Sequence, residues 1–338
     1  MNFQEVLNKS RPLVGPHCKA CLICDGRACC NQIPGPGSKG SGRVATRNYE
    51  GWQDVFVKMD TIVPKGKIDT TLTLFGKTFK YPIFAGPVGA VAMHYSDLYS
   101  DQTFYKTLLA GAKKAGICAF TGDGMDPAIM IDACQEIKNQ DGLGVPTIKP
   151  WPKEIVLEKL ELVKNSKAFM VAMDIDAAGL PFLKSFTPPA GRKSVQELKE
   201  IIDASPVPFM LKGIMSEEGA IKALEAGAKA IVVSNHGGRV LDGTPSSASV
   251  LEKIAKVVDG KMKIFVDGGL RSGVDIFKAL AMGADAVLVA RPFVNAVYGA
   301  GEEGVEVLVE TLGQELKDTM EMCGASDLAS IDKTMITR

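Results

Sequence analysis

From Tyr81 onward, the chain repeats a short apolar run rich in β-branched residues, a turn that contains Gly, Asp or Ser, and a stretch with helical apolar spacing. Apolar runs without strict polar alternation are typical of parallel strands that are covered on both faces. Eight repeats are present. The predicted strands begin near Pro82, Ile117, Val145, Phe169, Pro208, Ala230, Lys263 and Ala286.

The helical spacing between these runs is clearest over residues 217–226. Three helices end in the same way, in the segments KKAGI, LEAGAKA and LAMGADA, where Gly116, Gly227 and Gly283 suit the left-handed conformation that ends a helix. Eight strand and helix units predict an α/β fold, a (β/α)8 TIM barrel, which carries its chemistry on the loops after the strands. A doubly wound open sheet is the alternative, but no Gly-rich dinucleotide fingerprint follows the first strand.

We therefore predict a barrel over residues 81–338 and a lead-in segment over residues 1–80. The lead-in contains a cysteine cluster and two runs, VFVKMDTIV and TTLTLFG, that predict short strands. The composition, 46% hydrophobic and 23% charged, is that of a soluble protein with a sizeable core. Basic and acidic residues both number 39, so no net charge attracts nucleic acid or an anionic membrane. Without a bilayer-length apolar run or a signal peptide pattern, a cytoplasmic location is expected.

Candidate functional residues stand where the predicted strands end. Strand five ends in Lys212, strand six in the segment SNHGGR at residues 234–239, strand seven in DGGLR at residues 267–271, and strand eight in Ala290 and Arg291. The turns after strands seven and eight offer backbone N–H groups, with Arg291, to a phosphate. The alternative is that Gly268 and Gly269 have a structural role only and form a tight turn.

A base and an anion-binding group are predicted to face one pocket. His236 and Arg239 are separated by two glycines, which would let the backbone approach a ligand closely. A guanidinium group can hold a carboxylate through two parallel hydrogen bonds. Lys212, on the neighbouring strand, would add a positive charge beside the same pocket, because a buried lysine is rare unless it is paired.

These segments resemble the family of FMN-dependent 2-hydroxy acid oxidases and dehydrogenases, which includes glycolate oxidase, lactate oxidase and mandelate dehydrogenase. The segment SNHGGR followed by Leu241 and Asp242 is similar to the family signature, and LKGI, FVDGGLRSG and GADAVLVARPF follow in family order. The resemblance is specific over about residues 208–293 and looser over about 45–207. It implies a TIM barrel that binds FMN and oxidises a small 2-hydroxy acid to the 2-oxo acid.

The resemblance also implies roles for single residues. His236 matches the base, Asp174 its carboxylate partner, Arg239 the anchor of the substrate carboxylate, and Lys212 the residue that stabilises the reduced flavin. The FMN contacts implied by position are Pro87, Val88, Gly89, Thr121, Ser234, Asp267, Gly268, Gly269, Arg271, Ala290 and Arg291. Thr147 and Lys149 stand where the family has a Gln and a substrate-facing Tyr, so Thr147 is assigned to the cofactor and Lys149 to the substrate.

The lead-in segment departs from the family. Cys18, Cys21 and Cys24, with Cys29 or Cys30, form a C-x2-C-x2-C-x4-C spacing that can bind an iron-sulfur cluster or zinc. A set of free thiols is the alternative. Because the family's segment before the barrel reaches over the active site, we expect the cysteines near the barrel mouth, where they could pass electrons to or from the flavin.

The sequence thus predicts an FMN-dependent 2-hydroxy acid dehydrogenase or oxidase with a small-molecule substrate. Two alternatives remain, an FMN-dependent isomerase of the type 2 isopentenyl diphosphate isomerase kind, and a redox sensor or electron-transfer module built on the flavin and the cysteine cluster. The side chain of the substrate, the electron acceptor and the formation of a homo-oligomer are left open.

Overall fold

The computed structural model describes all of residues 1–338. The strands are β1 (Phe56–Val57), β2 (Leu72–Leu74), β3 (Lys77–Phe79), β4 (Ile83–Ala85), β5 (Cys118–Thr121), β6 (Val145–Ile148), β7 (Val171–Asp174), β8 (Phe209–Ile214), β9 (Ala230–Val233), β10 (Lys263–Val266), β11 (Ala286–Val289) and β12 (Ile336–Thr337). The helices are α1 (Phe3–Ser10), α2 (Arg43–Gln53), α3 (Val91–His94), α4 (Asp101–Lys114), α5 (Pro127–Asn139), α6 (Lys153–Ser166), α7 (Pro181–Lys184), α8 (Val195–Asp203), α9 (Glu217–Glu225), α10 (Ser247–Val258), α11 (Gly273–Ala281) and α12 (Arg291–Met322). Short 3-10 turns cover Ile175–Gly179, His236–Gly238, Leu328–Ser330 and Lys333–Met335.

Strands β4 to β11 form a closed parallel barrel in chain order, and β11 pairs with β4 to close it. The predicted (β/α)8 fold is therefore confirmed, and each barrel strand begins within two residues of its predicted start. The three predicted helix stops are confirmed as well. Gly116, Gly227 and Gly283 have φ values of 75°, 92° and 99°, which a residue with a side chain adopts only with strain.

Aromatic side chains fill the barrel interior. The rings of Phe84, Phe120 and Phe265 contact one another edge to face, with centroids 5.3 to 6.2 Å apart. Leu74 and Phe79, from the β2–β3 hairpin, belong to the same buried cluster and cover the N-terminal end of the barrel. The N-terminal end of the barrel is thus closed by packed side chains, which leaves the C-terminal ends of the strands for binding a ligand.

The lead-in segment wraps around this C-terminal end. In α2, the indole N–H of Trp52 donates to the carbonyl of Gly268 at 2.8 Å, and the side-chain amide of Asn48 bonds that of Asn235 at 2.7 Å. Strand β1 pairs with β12 at the other terminus, so the two predicted lead-in runs form short strands only. No helix of the structure combines the length and the apolar character that crossing a bilayer requires.

Candidate active site

A cleft at the C-terminal ends of all eight barrel strands encloses about 1330 Å³, including solvent at its mouth. Most of the predicted site residues line it: Pro87, Val88, Gly89, Lys149, Lys212, His236, Arg239, Asp267, Gly268, Gly269, Arg271, Ala290 and Arg291. Thr121, Thr147, Asp174 and Ser234 are buried at the same strand ends but do not line the cleft. The structure therefore gathers these residues in one place from strands far apart in the sequence.

A buried ion cluster lies at the floor of the cleft. Asp174 at the end of β7 contacts two amino groups, Nζ of Lys149 at 2.6 Å and Nζ of Lys212 at 3.1 Å, and Lys212 also lies 3.6 Å from Asp267. Burial alone would raise the pKa of Asp174, but the two lysine charges outweigh it and lower that pKa. Burial raises the pKa of Asp267, and the charge of Lys212 offsets part of this rise.

The carboxylate partner of His236 is Asp176, which corrects the assignment of Asp174 to this role. Nδ1 of His236 lies 3.0 Å from Oδ1 of Asp176, in the 3-10 turn that follows β7. Asp174, two residues earlier, is instead neutralised by the lysines. A carboxylate bonded to Nδ1 fixes the orientation of the ring and leaves Nε2 free for proton transfer.

The glycines of this region are needed mainly for contact with the lead-in segment. A Cβ on Gly238, where φ is 82°, would lie 2.6 Å from Cβ of Val44, and one on Gly269 would lie 2.3 Å from the backbone of Asn48. A Cβ on Gly237, in contrast, would meet open space. Of the two glycines between His236 and Arg239, therefore, one serves packing rather than the approach of a ligand, which corrects that part of the sequence interpretation.

Arg239 and His94 lie side by side at one corner of the cleft. Nη1 of Arg239 donates to the carbonyls of Gly35 and Gly37, which hold the guanidinium group in the cleft. Burial, and then the charge of Arg239, lower the pKa of His94 to about 3, so this ring is neutral. Its Nδ1 accepts from the N–H of Gly35 at 3.0 Å, which leaves the proton on Nε2. Nε2 lies 3.4 Å from Nη2 of Arg239, and a carboxylate can bridge these two donors.

At the other end of the cleft, Arg271 and Arg291 meet the lead-in segment. Nε of Arg271 donates to the carbonyl of Cys24 at 2.7 Å, and Nη1 of Arg291 lies 4.0 Å from Sγ of Cys29. The predicted position of the cysteine segment near the barrel mouth is thus confirmed. Neither Arg291 nor Arg239 forms a salt bridge with an acidic side chain, so both groups lack a carboxylate counter-ion in the protein.

One group of side chains has the spacing of a cation site, namely Asp174, Asp176 and His236, whose ligand atoms all lie within 4.8 Å of one another. The amino groups of Lys149 and Lys212 already neutralise Asp174. A divalent cation would have to displace these lysine contacts, so the cluster is better described as an ion-pair network.

Three residues of the site were not predicted from the sequence, namely His94, Asp123 and Asp176. Asp123 is buried and accepts hydrogen bonds from the backbone of Lys149, from Trp151 and from Lys159, and it thereby fixes the loop after β6. His94 could have been named as a candidate site residue, because the chain has only three histidines. Asp176 stands beside the predicted Asp174, and only the geometry of the turn distinguishes the two.

Comparison with known proteins defines the class. The chain matches the family described as FMN-dependent dehydrogenase over residues 36–180 and 98–338, and therefore belongs to this family. It is 41% identical over 144 residues to a peroxisomal (S)-2-hydroxyacid oxidase of Arabidopsis thaliana, a match that covers 43% of this chain and 39% of the relative. It is 45% identical over 140 residues to an L-lactate oxidase of a Nostoc species, covering 41% and 38%. These matches span about two fifths of each relative's length.

One match runs over most of the chain. An L-lactate dehydrogenase of Actinobacillus pleuropneumoniae is 29% identical over 351 aligned positions, which cover 88% of this chain and 91% of that protein. A solved structure of a mandelate oxidase with a monooxide FMN adduct superimposes with a TM-score of 0.73 at 25% identity, and covers 89% of this chain and 93% of the other. Over nearly nine tenths of its length, the chain thus aligns with members of this family.

The cleft suits the flavin cofactor of the family. Thr121 Oγ1, Thr147 Oγ1 and Asp267 Oδ1 are buried and find no hydrogen-bond partner within the protein. Buried polar atoms are nearly always satisfied, so unpaired ones beside a cleft indicate a polar ligand. The phosphate would supply the counter-ion that Arg291 lacks, and polar groups of the cofactor would supply a partner for Asp267, which lines the cleft.

We expect the neutral state of His94 to make the fold sensitive to acid. Because the pKa of His94 is about 3 in the folded protein and about 6.5 when unfolded, protonation favours the unfolded chain, and stability falls as pH drops from about 6.5 toward 3. His94→Asn, whose side-chain oxygen can replace Nδ1, is expected to remove about 2 kcal/mol of the stability loss between pH 7 and pH 5.

Denaturant unfolding at pH 7 and pH 5 measures this effect. His17→Asn is the matched control, since His17 is half-buried and its ring bonds only Gln32. Equal pH dependence in the wild type and the His94 variant would contradict the prediction.

Proposed function

We propose that this protein uses FMN to oxidise a small 2-hydroxy acid to the corresponding 2-oxo acid. The observation that carries the proposal is the convergence of a carboxylate-oriented histidine, an arginine without a counter-ion and a buried lysine on one cleft. The names of the relatives, which are hydroxyacid oxidases, lactate oxidase and lactate dehydrogenase, support the same chemistry.

The cofactor would lie across the cleft from the arginines to the lysine. Its phosphate would bind the backbone of Gly268 and Gly269 with Arg271 and Arg291, because helix and turn N–H groups and guanidinium groups favour phosphate. Lys212 would place a positive charge beside the ring. Bound FMN supplies the acceptor for the two electrons that leave the substrate. The remaining assigned contacts are Pro87, Val88, Gly89, Thr121, Thr147, Ser234, Asp267 and Ala290.

The substrate would be anchored through its carboxylate. Nη2 of Arg239 and Nε2–H of His94 form the donor pair, and His94 takes part because the family's tyrosine position after β6 is Lys149 here. Lys149 bonds Asp174 at 2.6 Å and also lines the cleft, so it would add positive charge near the same anion. The neutral ring of His94 donates a hydrogen bond without adding a charge.

His236 would act as the base. With Nδ1 held by Asp176, its Nε2 would accept the proton that the substrate loses, and the negative charge of Asp176 would stabilise the imidazolium that forms. Asp176 is therefore a positioning residue. Asp174 would hold the two lysines in place at the floor of the cleft.

Anaerobic flavin bleaching tests the proposal. The FMN-loaded protein is mixed with lactate, glycolate and mandelate, the loss of flavin absorbance is followed, and the 2-oxo acid is quantified. An isomerase would complete turnover without net bleaching, and a sensor would bleach without forming a 2-oxo acid in stoichiometric amount. If none of a broad panel of 2-hydroxy acids reduces the flavin, the proposal is wrong.

Arg239→Lys is expected to raise the substrate concentration that gives half-maximal reduction by about tenfold or more, because only guanidinium offers two parallel donors to a carboxylate. Arg192→Lys, in the loop after β7 and outside the cleft lining, is the matched control and should leave this concentration unchanged. The concentration is obtained from stopped-flow reduction traces. An unchanged value for every acid that reduces the flavin would show that the anchor lies elsewhere.

A further inference from the structure

The cysteine segment has no part in the chemistry proposed for the cleft. Residues 11–42 contain neither a helix nor a strand, yet Cys18 and Cys29 within them are buried. Long segments without secondary structure are uncommon in compact domains and are usually functional. None of the eight cysteines forms a disulfide. A role other than the chemistry of the cleft therefore has to explain why this segment, which has no helix or strand, is partly buried.

Two of its thiols lie on one face of the first turn of α12. Sγ of Cys18 lies 3.6 Å from Oδ1 of Asn295, and Sγ of Cys29 lies 4.0 Å from Nη1 of Arg291. Residues 291 and 295 are four positions apart in the helix, so their side chains are neighbours on its surface. Cys18 and Cys29, which are eleven positions apart in the sequence, are thereby brought together.

A third and a fourth thiol join this pair. The carbonyl of Cys24 accepts a hydrogen bond from Nε of Arg271 at 2.7 Å, and Arg271 lines the cleft together with Arg291. Cys21 stands between Cys18 and Cys24, three positions from each. The stretch of the lead-in segment that carries the four cysteines thus lies beside Arg271 and Arg291.

Cys30 is excluded from this group, although the spacing alone could not decide between it and Cys29. Its thiol donates to the carbonyl of Ser41 at 3.1 Å, and it lines a separate surface pocket with Arg27, Arg43 and Arg47.

We propose that Cys18, Cys21, Cys24 and Cys29 bind an iron-sulfur cluster beside Arg271 and Arg291. Three of the four stand in a C-x2-C-x2-C run, the spacing with which bacterial ferredoxins bind such clusters. The sites of Cys118, Cys134 and Cys323 are elsewhere in the barrel and its helices, where these thiols are buried in the apolar core.

The distances favour a cluster over a single zinc ion. Zinc bound by four thiolates at about 2.3 Å holds the sulfur atoms about 3.8 Å apart. No three of these sulfur atoms lie within 4.8 Å of one another. An iron-sulfur cluster holds its thiolates farther apart, because its own iron and sulfide atoms lie between them.

The charge of the surroundings also fits. Four thiolates around a cluster carry net negative charge, and Nη1 of Arg291 lies 4.0 Å from Sγ of Cys29. Arg271 and Arg291 line the cleft, whereas none of the cysteines does. The two guanidinium groups therefore stand between the cleft and the thiols, and the cluster would lie behind the predicted phosphate site.

Iron and acid-labile sulfide in the full-length protein, purified without oxygen, test the proposal, together with the electron paramagnetic resonance spectrum after reduction with dithionite. We expect iron and sulfide in equal amounts and a cluster signal, none of which requires FMN or turnover. Cys24→Ser and Cys29→Ser should each lose most of the iron, whereas Cys30→Ser, the matched control, should retain it.

Reconstitution with ferrous iron and sulfide provides a second measurement if a variant folds poorly. Wild-type protein that takes up no cluster under these conditions, or that is isolated with zinc in place of iron and sulfide, would overturn the proposal. The same holds if Cys30→Ser loses as much iron as Cys29→Ser. Because metal content is independent of flavin bleaching, failure of this proposal is distinguishable from failure of the proposed function.

Discussion

Replacing His236 with alanine is expected to slow reduction of the flavin by the substrate by about 10²-fold or more, while FMN stays bound. The imidazole is the only group in the cleft that combines a carboxylate-held Nδ1 with a free second nitrogen. Without it the substrate proton would lose the acceptor that this proposal assigns to it. Stopped-flow absorbance under anaerobic conditions measures the rate, and the protein-bound flavin spectrum reports retention.

Two variants make this experiment specific. Asp176→Asn should also lower the rate, with a changed pH profile, because the amide cannot stabilise the imidazolium as a carboxylate does. His17→Ala, which removes a histidine outside the cleft lining, should leave the rate unchanged. A His236→Ala protein that reduces its flavin at the wild-type rate would place the base elsewhere.

The barrel could be predicted because its signals are local. Each strand is an apolar run of a few residues, and each of the three glycine stops is identifiable from the helix that precedes it. The strand ends then indicate which side chains meet, because a closed parallel barrel directs all of them to one mouth. Residues such as His236, Arg239 and Lys212 could therefore be assigned to one cleft before any coordinates were known.

The partners within the cleft could not be predicted in the same way. Whether Asp174 or Asp176 contacts His236 depends on the 3-10 turn after β7. Lys149, which follows the neighbouring strand β6, forms an ion pair with Asp174 and so determines which carboxylate contacts the lysines. His94 is oriented by the backbone of Gly35, a contact across 59 positions. Contacts of this kind depend on the path of the lead-in segment, for which the sequence has no periodic signal.

The choice between Cys29 and Cys30 illustrates the same limit. The spacing of the cysteines permits either as a fourth ligand. Cys29 contacts α12, whereas Cys30 contacts Ser41, and these contacts distinguish the two thiols. The first contact joins residues far apart in the chain, and the second lies in irregular backbone.

Replacing Asp174 with asparagine is expected to destabilise the fold by about 3 to 5 kcal/mol. Asp174 is almost fully buried and contacts both Lys149 and Lys212, so the neutral amide would leave two buried lysines without their shared counter-ion. Removing one member of a buried ion pair costs much more than the pair contributes, because the remaining charge stays desolvated. Asp267, which lies 3.6 Å from Lys212, can compensate for only one of the two.

Denaturant unfolding in the presence of saturating FMN measures this loss. Asp141→Asn is the matched control, because Asp141 forms an ion pair with Lys113 at 2.7 Å but is exposed to solvent, where the pair contributes little. The control should unfold at nearly the wild-type denaturant concentration, and Asp174→Asn at a much lower one. If the two variants unfold at the same denaturant concentration, the lysines have other counter-charges, and the ion cluster is not what holds the floor of the cleft in place.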